Sequence, residues 1–193
     1  MRWIALLALL LPCALATEAD YFPVGSGLSW VYQFKGRQSF DYTVEVVKTE
    51  GNRALVRTTM PQVLTQEWYE VGSGGISLTG MEDPDGERAL YQPPRPYLRF
   101  PMKPGTSWTW TGRLGRSSEI TDSNRILASA QVKVPAGTFT CLVVETLTTQ
   151  SGGTLNQTSY YASGVGLVKY VSESPAGNWV TVLKSWSGSS PKP

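Results

Sequence analysis

Apolar and polar residues alternate along most of this chain with a period of two, and no stretch beyond the first residues carries the three-to-four-residue apolar period of a helix. Tyr42, Val44 and Val46 share one side of an extended segment while Thr43 and Glu45 take the other. Ala128, Ala130, Val132 and Val134 repeat the pattern opposite Ser129, Gln131 and Lys133. Turn-forming residues separate such runs at Glu50-Gly51-Asn52, Pro135-Ala136-Gly137, Ser151-Gly152-Gly153 and between Ser174 and Asn178, each short enough to close an antiparallel hairpin. The pattern predicts an all-β chain wound as an antiparallel meander.

Two of the predicted strands carry aromatic ladders. Trp30, Tyr32 and Phe34 point one way and Ser29 and Val31 the other, and Trp108 and Trp110 likewise oppose Ser107 and Thr109. Burying such a ring is worth about 2–3 kcal/mol, a large share of a net stability of about 5–15 kcal/mol. Core packing is therefore their first role. The second is to line a groove or barrel mouth that holds an apolar or sugar ligand, which makes Trp30, Tyr32, Trp108 and Trp110 the candidate ligand-binding residues.

The ladders belong to a longer echo. Phe22-Pro23, Gly27, Ser29 and Trp30 return 78 positions later as Phe100-Pro101, Gly105, Ser107 and Trp108. Leu64, Gln66, Tyr69 and Gly75 return 91 positions later as Leu155, Gln157, Tyr160 and Gly166. Spacing kept within each phrase and drifting between them suggests two copies of one unit whose loops changed length. The expected architecture is one domain over 17–193, built from two repeats at about 21–92 and 98–187. These halves would form a strongly curved sheet or partly open barrel. Pro93-Pro94-Arg95-Pro96 reads as the short, stiff connection between the copies.

Residues 1–16 read as a signal peptide rather than as part of the fold. Arg2 supplies a basic start, Trp3 to Leu11 is an apolar run too short to span a bilayer, and Ala14-Leu15-Ala16 offers a small-residue cleavage site. Export to the periplasm or the extracellular space follows, with no later apolar stretch to form a transmembrane segment. Cys13 offers the alternative of a lipid-modified N-terminus, although Pro12 stands where that processing favours a small residue.

Beyond the leader only Cys141 remains, so neither an intramolecular disulfide nor a thiolate metal cage can form. Its Val-, Leu- and Thr-rich surroundings suit a small buried side chain better than a reactive thiol. The chain has no histidine, which removes the usual Ser-His and Cys-His nucleophile pairs and the commonest zinc ligand. No cofactor and no metal site are expected. With 17 basic and 15 acidic residues scattered along the whole chain, there is no basic stripe to attract nucleic acid or an anionic membrane surface.

Carboxylates leave two openings. Glu82-Asp83-Pro84-Asp85-Gly86-Glu87 could hold a hard cation but lacks the ligand spacing of a calcium loop, and its Pro and Gly make an acidic turn without any ion. Glu67, Glu70 and Glu145 on predicted strands could supply the paired acids of a glycosidase, the enzyme class that works without histidine. In the repeat Glu67 aligns with Thr158 and Glu70 with Tyr161, so neither belongs to the shared framework.

Tyr21-Phe22-Pro23, Gly27-Leu28-Ser29-Trp30-Val31-Tyr32, Val134-Pro135-Ala136-Gly137-Thr138-Phe139 and the run from Tyr160 to Lys169 together resemble exported bacterial proteins that carry a domain of unknown function, similar to the TapB-like group. The resemblance implies a curved or partly open antiparallel barrel in the cell envelope and carries over no catalytic residue. It also implies that Asn156-Gln157-Thr158, a glycosylation acceptor by sequence, stays unmodified. The chain is similar as well to periplasmic lipoprotein carriers, but these cover their sheet with helices, and the missing helical period here argues against an acyl-chain cavity. The expected function is a non-catalytic envelope protein, binding a lipid or other hydrophobic ligand, a glycan or a partner protein. The alternatives are a carbohydrate-active enzyme and a purely structural component.

Overall fold

The computed structural model describes residues 18–82, 85–175 and 177–188. The expected signal peptide and Cys13 lie outside the described residues, as do Asp83 and Pro84 of the acidic turn. After a 3-10 turn at Glu18–Tyr21 come thirteen strands: β1 (Ser29–Lys35), β2 (Ser39–Glu50), β3 (Arg53–Thr59), β4 (Leu64–Gly72), β5 (Gly75–Glu82), β6 (Arg88–Arg99), β7 (Ser107–Leu114), β8 (Ile120–Ile126), β9 (Ala130–Val134), β10 (Gly137–Gln150), β11 (Gly153–Ala162), β12 (Gly166–Ser174) and β13 (Gly177–Ser187). Among the described residues no helix is long and apolar enough to cross a membrane.

The strands form one antiparallel sheet that closes on itself. β1 to β8 follow in chain order, β10 pairs with both β8 and β11, and β13 returns to β1, giving a twelve-stranded barrel with β9 as an extra strand on β10. The barrel is closed where the sequence suggested a partly open one. Its closing seam, Ser29↔Ser187 to Lys35↔Val180, is a ladder as long as β1 itself, so no unpaired edge is left there. β9 and the start of β10 make a satellite hairpin that packs on β12 and β13, burying Val132, Val134 and Cys141.

Alternation sorts most of the predicted positions as expected, but Ala128 is exposed ahead of β9, and Cys141 to Val144 in β10 are buried in succession. Trp30, Tyr32 and Val46 are buried, Trp108 and Trp110 are buried beside the exposed Ser107 and Thr109, and Gln131 and Lys133 are exposed beside Val132 and Val134. The four predicted turns fall between β2 and β3, β9 and β10, β10 and β11, and β12 and β13.

The two echoed phrases behave differently. In the first, Gly27 and Gly105 both take positive φ (83° and 91°), and the same backbone bonds follow: Gly27 N–H to Val46 O with Val46 N–H to Leu28 O, and Gly105 N–H to Ile126 O with Ile126 N–H to Thr106 O. Both ladders then enter the barrel. In the second phrase the letters match but the faces do not. Tyr69 turns inward against Phe22 and Tyr97, whereas on β11 it is Tyr161, not Tyr160, that meets Tyr97. The turn after β11 is one residue longer than that after β4, so matching Gly75 with Gly166 slips the strands by one residue, and such a slip exchanges the two faces.

Pro93-Pro94-Arg95-Pro96 is not a connection but lies inside β6. Proline has no N–H to give a ladder, and β6 and β7 share only Tyr91↔Leu114 and Gln92↔Arg113. Indoles satisfy two of the proline carbonyls that the short ladder leaves over: Trp108 Nε1 donates to Pro96 O (3.3 Å) and Trp110 Nε1 to Pro93 O (3.2 Å). At the same seam Gly112 admits close backbone approach, since a Cβ there would lie 2.6 Å from Gln92 O and 2.4 Å from the Trp110 ring.

Two substitutions measure this seam. Trp110→Phe, which removes the donor to Pro93 O, is expected to lower stability by about 1–3 kcal/mol, and Gly112→Ala by at least as much through overpacking. Denaturant midpoints against the wild type provide the measurement.

Candidate functional site

The upper mouth of the barrel, where β1 begins, is occupied by the chain's own first described residues. Gly164 N–H donates to Asp20 O (2.9 Å) and Met102 N–H to the Glu18 carboxylate (3.2 Å), which fixes the segment across two loops. Phe22 then wedges between Tyr69 and Tyr97, with ring centres at 4.8 and 5.3 Å. Beneath this stopper the lumen holds two cavities of contrasting character.

The first, about 280 Å³, is walled by β1 to β4 and capped by Phe22 and Pro23. Its rings are Trp30, Tyr32, Tyr42, Tyr69 and Tyr97 besides Phe22, and Val44, Val46, Val56 and Leu167 fill in between them. Half-buried Thr58, Met60 and Thr65 line its lower part. Trp30 Nε1 donates to Val165 O (2.7 Å) and the Tyr32 hydroxyl to Leu167 O (2.8 Å), so both rings are fixed by the β11–β12 turn and the start of β12. The second cavity, about 160 Å³, is polar, with Arg95, Asp122, Asn124, Thr146 and Gln157 among its walls.

Glu67 borders both cavities. It accepts a hydrogen bond from the Tyr69 hydroxyl (2.8 Å) and takes part in no ion pair among the described residues. Burial pushes its carboxyl above the usual glutamate value, against the smaller opposing effects of the Tyr69 bond and the Arg95 charge. Burial also holds the Tyr32, Tyr69 and Tyr97 phenols well above their ordinary value and pushes Tyr161 up to about 12, so these hydroxyls stay protonated.

Arg95 meets Asp122 as a fork, Nε to Oδ2 at 2.6 Å and Nη2 to Oδ1 at 2.9 Å, and Thr148 adds a bond to the same carboxylate. Burial works against the guanidinium charge, but the bonds and charge of Asp122 outweigh it and raise the Arg95 pKa. The Arg95 guanidinium also stands over Tyr91 and Trp110, at 5.8 and 5.6 Å from the ring centres.

Of the four aromatic candidates, Trp30 and Tyr32 line the apolar cavity, whereas Trp108 and Trp110 serve the β6–β7 seam. The three acids considered for paired-carboxylate chemistry do not converge. Glu67 faces the lumen, Glu70 pairs with Arg53 (3.6 Å) and Glu145 with Arg125 (3.0 Å), the last two being partly exposed pairs on the outer wall. Among the described residues no three His, Cys, Asp or Glu side chains gather as a metal site. Cys141 is buried, and burial pushes its thiol up to about 11, far from a reactive thiolate. A larger depression of about 520 Å³ on the outer wall is lined by Trp68, Arg88 and Leu90, but its Lys48–Glu50 and Arg53–Glu70 charges are already paired. From the sequence Tyr42 was read only as one of an inward-facing row, and Arg95 only as part of a connection, neither as a site residue. The proline-flanked Arg95 could have been singled out, because a cation within a strand that cannot complete its ladder needs a partner nearby.

No protein-family model matches the sequence, and no curated protein aligns with it significantly. Two solved structures are similar in shape. A candidate lipoprotein from Parabacteroides distasonis ATCC 8503 is 15% identical, with a TM-score of 0.48 over 86% of this chain and 98% of its own. A candidate exported protein with a YmcC-like fold from Bacteroides fragilis NCTC 9343 is 15% identical, with a TM-score of 0.49 over 87% of this chain and 99% of its own.

Two changes separate the charges of the lumen. A carboxyl whose pKa is raised on folding binds more protons in the native than in the unfolded state, so its contribution makes stability fall as pH rises from the unfolded value through the folded one. Glu67→Gln is therefore expected to gain stability relative to the wild type across that window, in denaturant titrations at stepped pH. Asp122→Ala, which strands the Arg95 guanidinium, is expected to cost about 3–5 kcal/mol in the same assay.

Proposed function

We propose that the protein is a non-catalytic, exported binding protein of the cell envelope, whose barrel lumen takes up a small, largely apolar molecule. The observation that carries this reading is the cavity of about 280 Å³ within β1 to β4, near the lower end of the roughly 300–1,000 Å³ usual for small-molecule sites. A pocket walled mainly by rings and branched aliphatic side chains, with one carboxyl among them, has the composition of such a site. A glycan would need many hydrogen-bonding partners, and Val44, Val46, Val56 and Leu167 offer none, which favours an apolar ligand. The scattering of Glu67, Glu70 and Glu145 supports binding over paired-acid hydrolysis. Export rests on the leader formed by Arg2, the Trp3 to Leu11 run and Ala14-Leu15-Ala16.

The kinship with the TapB-like group rests on the phrases quoted from the sequence. Descent of the barrel from a repeated unit is supported by the first echoed phrase, with its matched glycine turns and inward indoles, and by the six barrel strands in each half. The second phrase lends it nothing.

Native mass spectrometry of protein purified from its own host tests the binding reading. The expected result is a small-molecule adduct that disappears in Val44→Phe, which fills the cavity, and persists in Trp108→Phe, which does not touch it. A persistently empty wild type with no affinity for apolar probes would overturn it.

A further inference from the structure

Resting on the lumen being a binding site, the geometry points to an organic cation as its ligand, an alkylated ammonium held among the aromatic rings beside Glu67.

The charges on the cavity walls lead to this class. The walls of the two luminal cavities carry three charged side chains: Glu67, Arg95 and Asp122. Arg95 and Asp122 neutralise each other through two short parallel bonds, at 2.6 and 2.9 Å. Glu67 has a single hydrogen bond, from Tyr69, and no ion-pair partner among the described residues. When Glu67 is ionised the lumen therefore holds one uncompensated negative charge, in surroundings where an unpaired charge is costly. A bound cation offsets that cost, and an anionic ligand such as a fatty acid increases it.

The rings add to the same preference. Phe22, Trp30, Tyr32, Tyr42, Tyr69 and Tyr97 all border the cavity, and an aromatic face presents negative potential to a cation lying over it. The phenols cannot strengthen this by ionising, because burial keeps Tyr32, Tyr69 and Tyr97 protonated. Val44, Val46 and Val56 then decide the kind of cation. They suit N-alkyl groups, whereas a metal ion or a bare ammonium would need several converging oxygen ligands, which these three side chains do not offer.

Isothermal titration of the folded protein with choline and with 3,3-dimethyl-1-butanol, its uncharged carbon isostere, separates charge from shape. The expected result is at least about tenfold tighter binding of choline, in line with a desolvated cation over aromatic faces. In Glu67→Gln the preference should fall below about threefold, with binding of the isostere unchanged. Equal or tighter binding of the isostere by the wild type would overturn the cationic ligand and leave the luminal site standing. Failure of both compounds, together with apolar probes, to bind at millimolar concentration would overturn both. The wild-type comparison decides the question even if Glu67→Gln does not fold.

Discussion

Width is the constraint that organises this protein. Eight strands close around a space that side chains just fill, and twelve leave a lumen that they do not fill without help. Closure pairs the ring's edges, apart from the proline-interrupted stretch between β6 and β7, but obliges the chain to pack or to use the interior it creates. The solutions are visible in turn: Phe22 inserted from above, large rings from β1, β4, β6 and β11, and a forked ion pair across the side formed by β6 and β8. What remains unfilled is the apolar space beside β1 to β4, and every functional consideration begins from that remainder.

The two sides of the lumen differ because their polar groups are satisfied differently. On the β6–β8 side Arg95, Asp122 and Thr148 answer one another, and Asn124 donates to Trp108 O and accepts from the Thr146 hydroxyl, so polarity there is structural. On the β1–β4 side the polar hydrogens of Trp30 and Tyr32 are taken up by Val165 O and Leu167 O, leaving rings and aliphatic side chains as most of the wall. Glu67 stands at the boundary between them. A half-buried carboxyl on a lumen wall with one phenol for company and no ion-pair partner among the described residues is uncommon, and such groups concentrate where a molecule binds.

Much of this architecture was legible in the sequence. Period-two alternation placed Tyr42, Val44 and Val46 inside, glycine-marked turns located four hairpins, and the Trp30 and Trp108 phrases identified strands that open alike. Closure was not legible, because pairing of β1 with β13 joins residues from opposite ends of the chain and leaves no local trace. Pro93 to Pro96 was misread for a physical reason. Prolines forbid a ladder, and only the structure shows Trp108 and Trp110 donating to the proline carbonyls left over. The Tyr69 and Tyr160 echo misled because identical spacing says nothing of facing when the turn beyond it gains one residue. Of the site, the rings Trp30 and Tyr32 were foreseen, whereas Glu67 was noticed only as one acid of three, since its isolation depends on where Glu70 and Glu145 point.

Pairing of the first strand with the last also imposes an order in time. Ser29 cannot meet Ser187 until every strand from β2 to β13 has been made, so no complete ring exists before β13 emerges. Contacts this distant along the chain make folding slow, and until they form the emerging sheet exposes two raw edges. A ring that must wait in this way is completed in a single step, by the arrival of β13 alone.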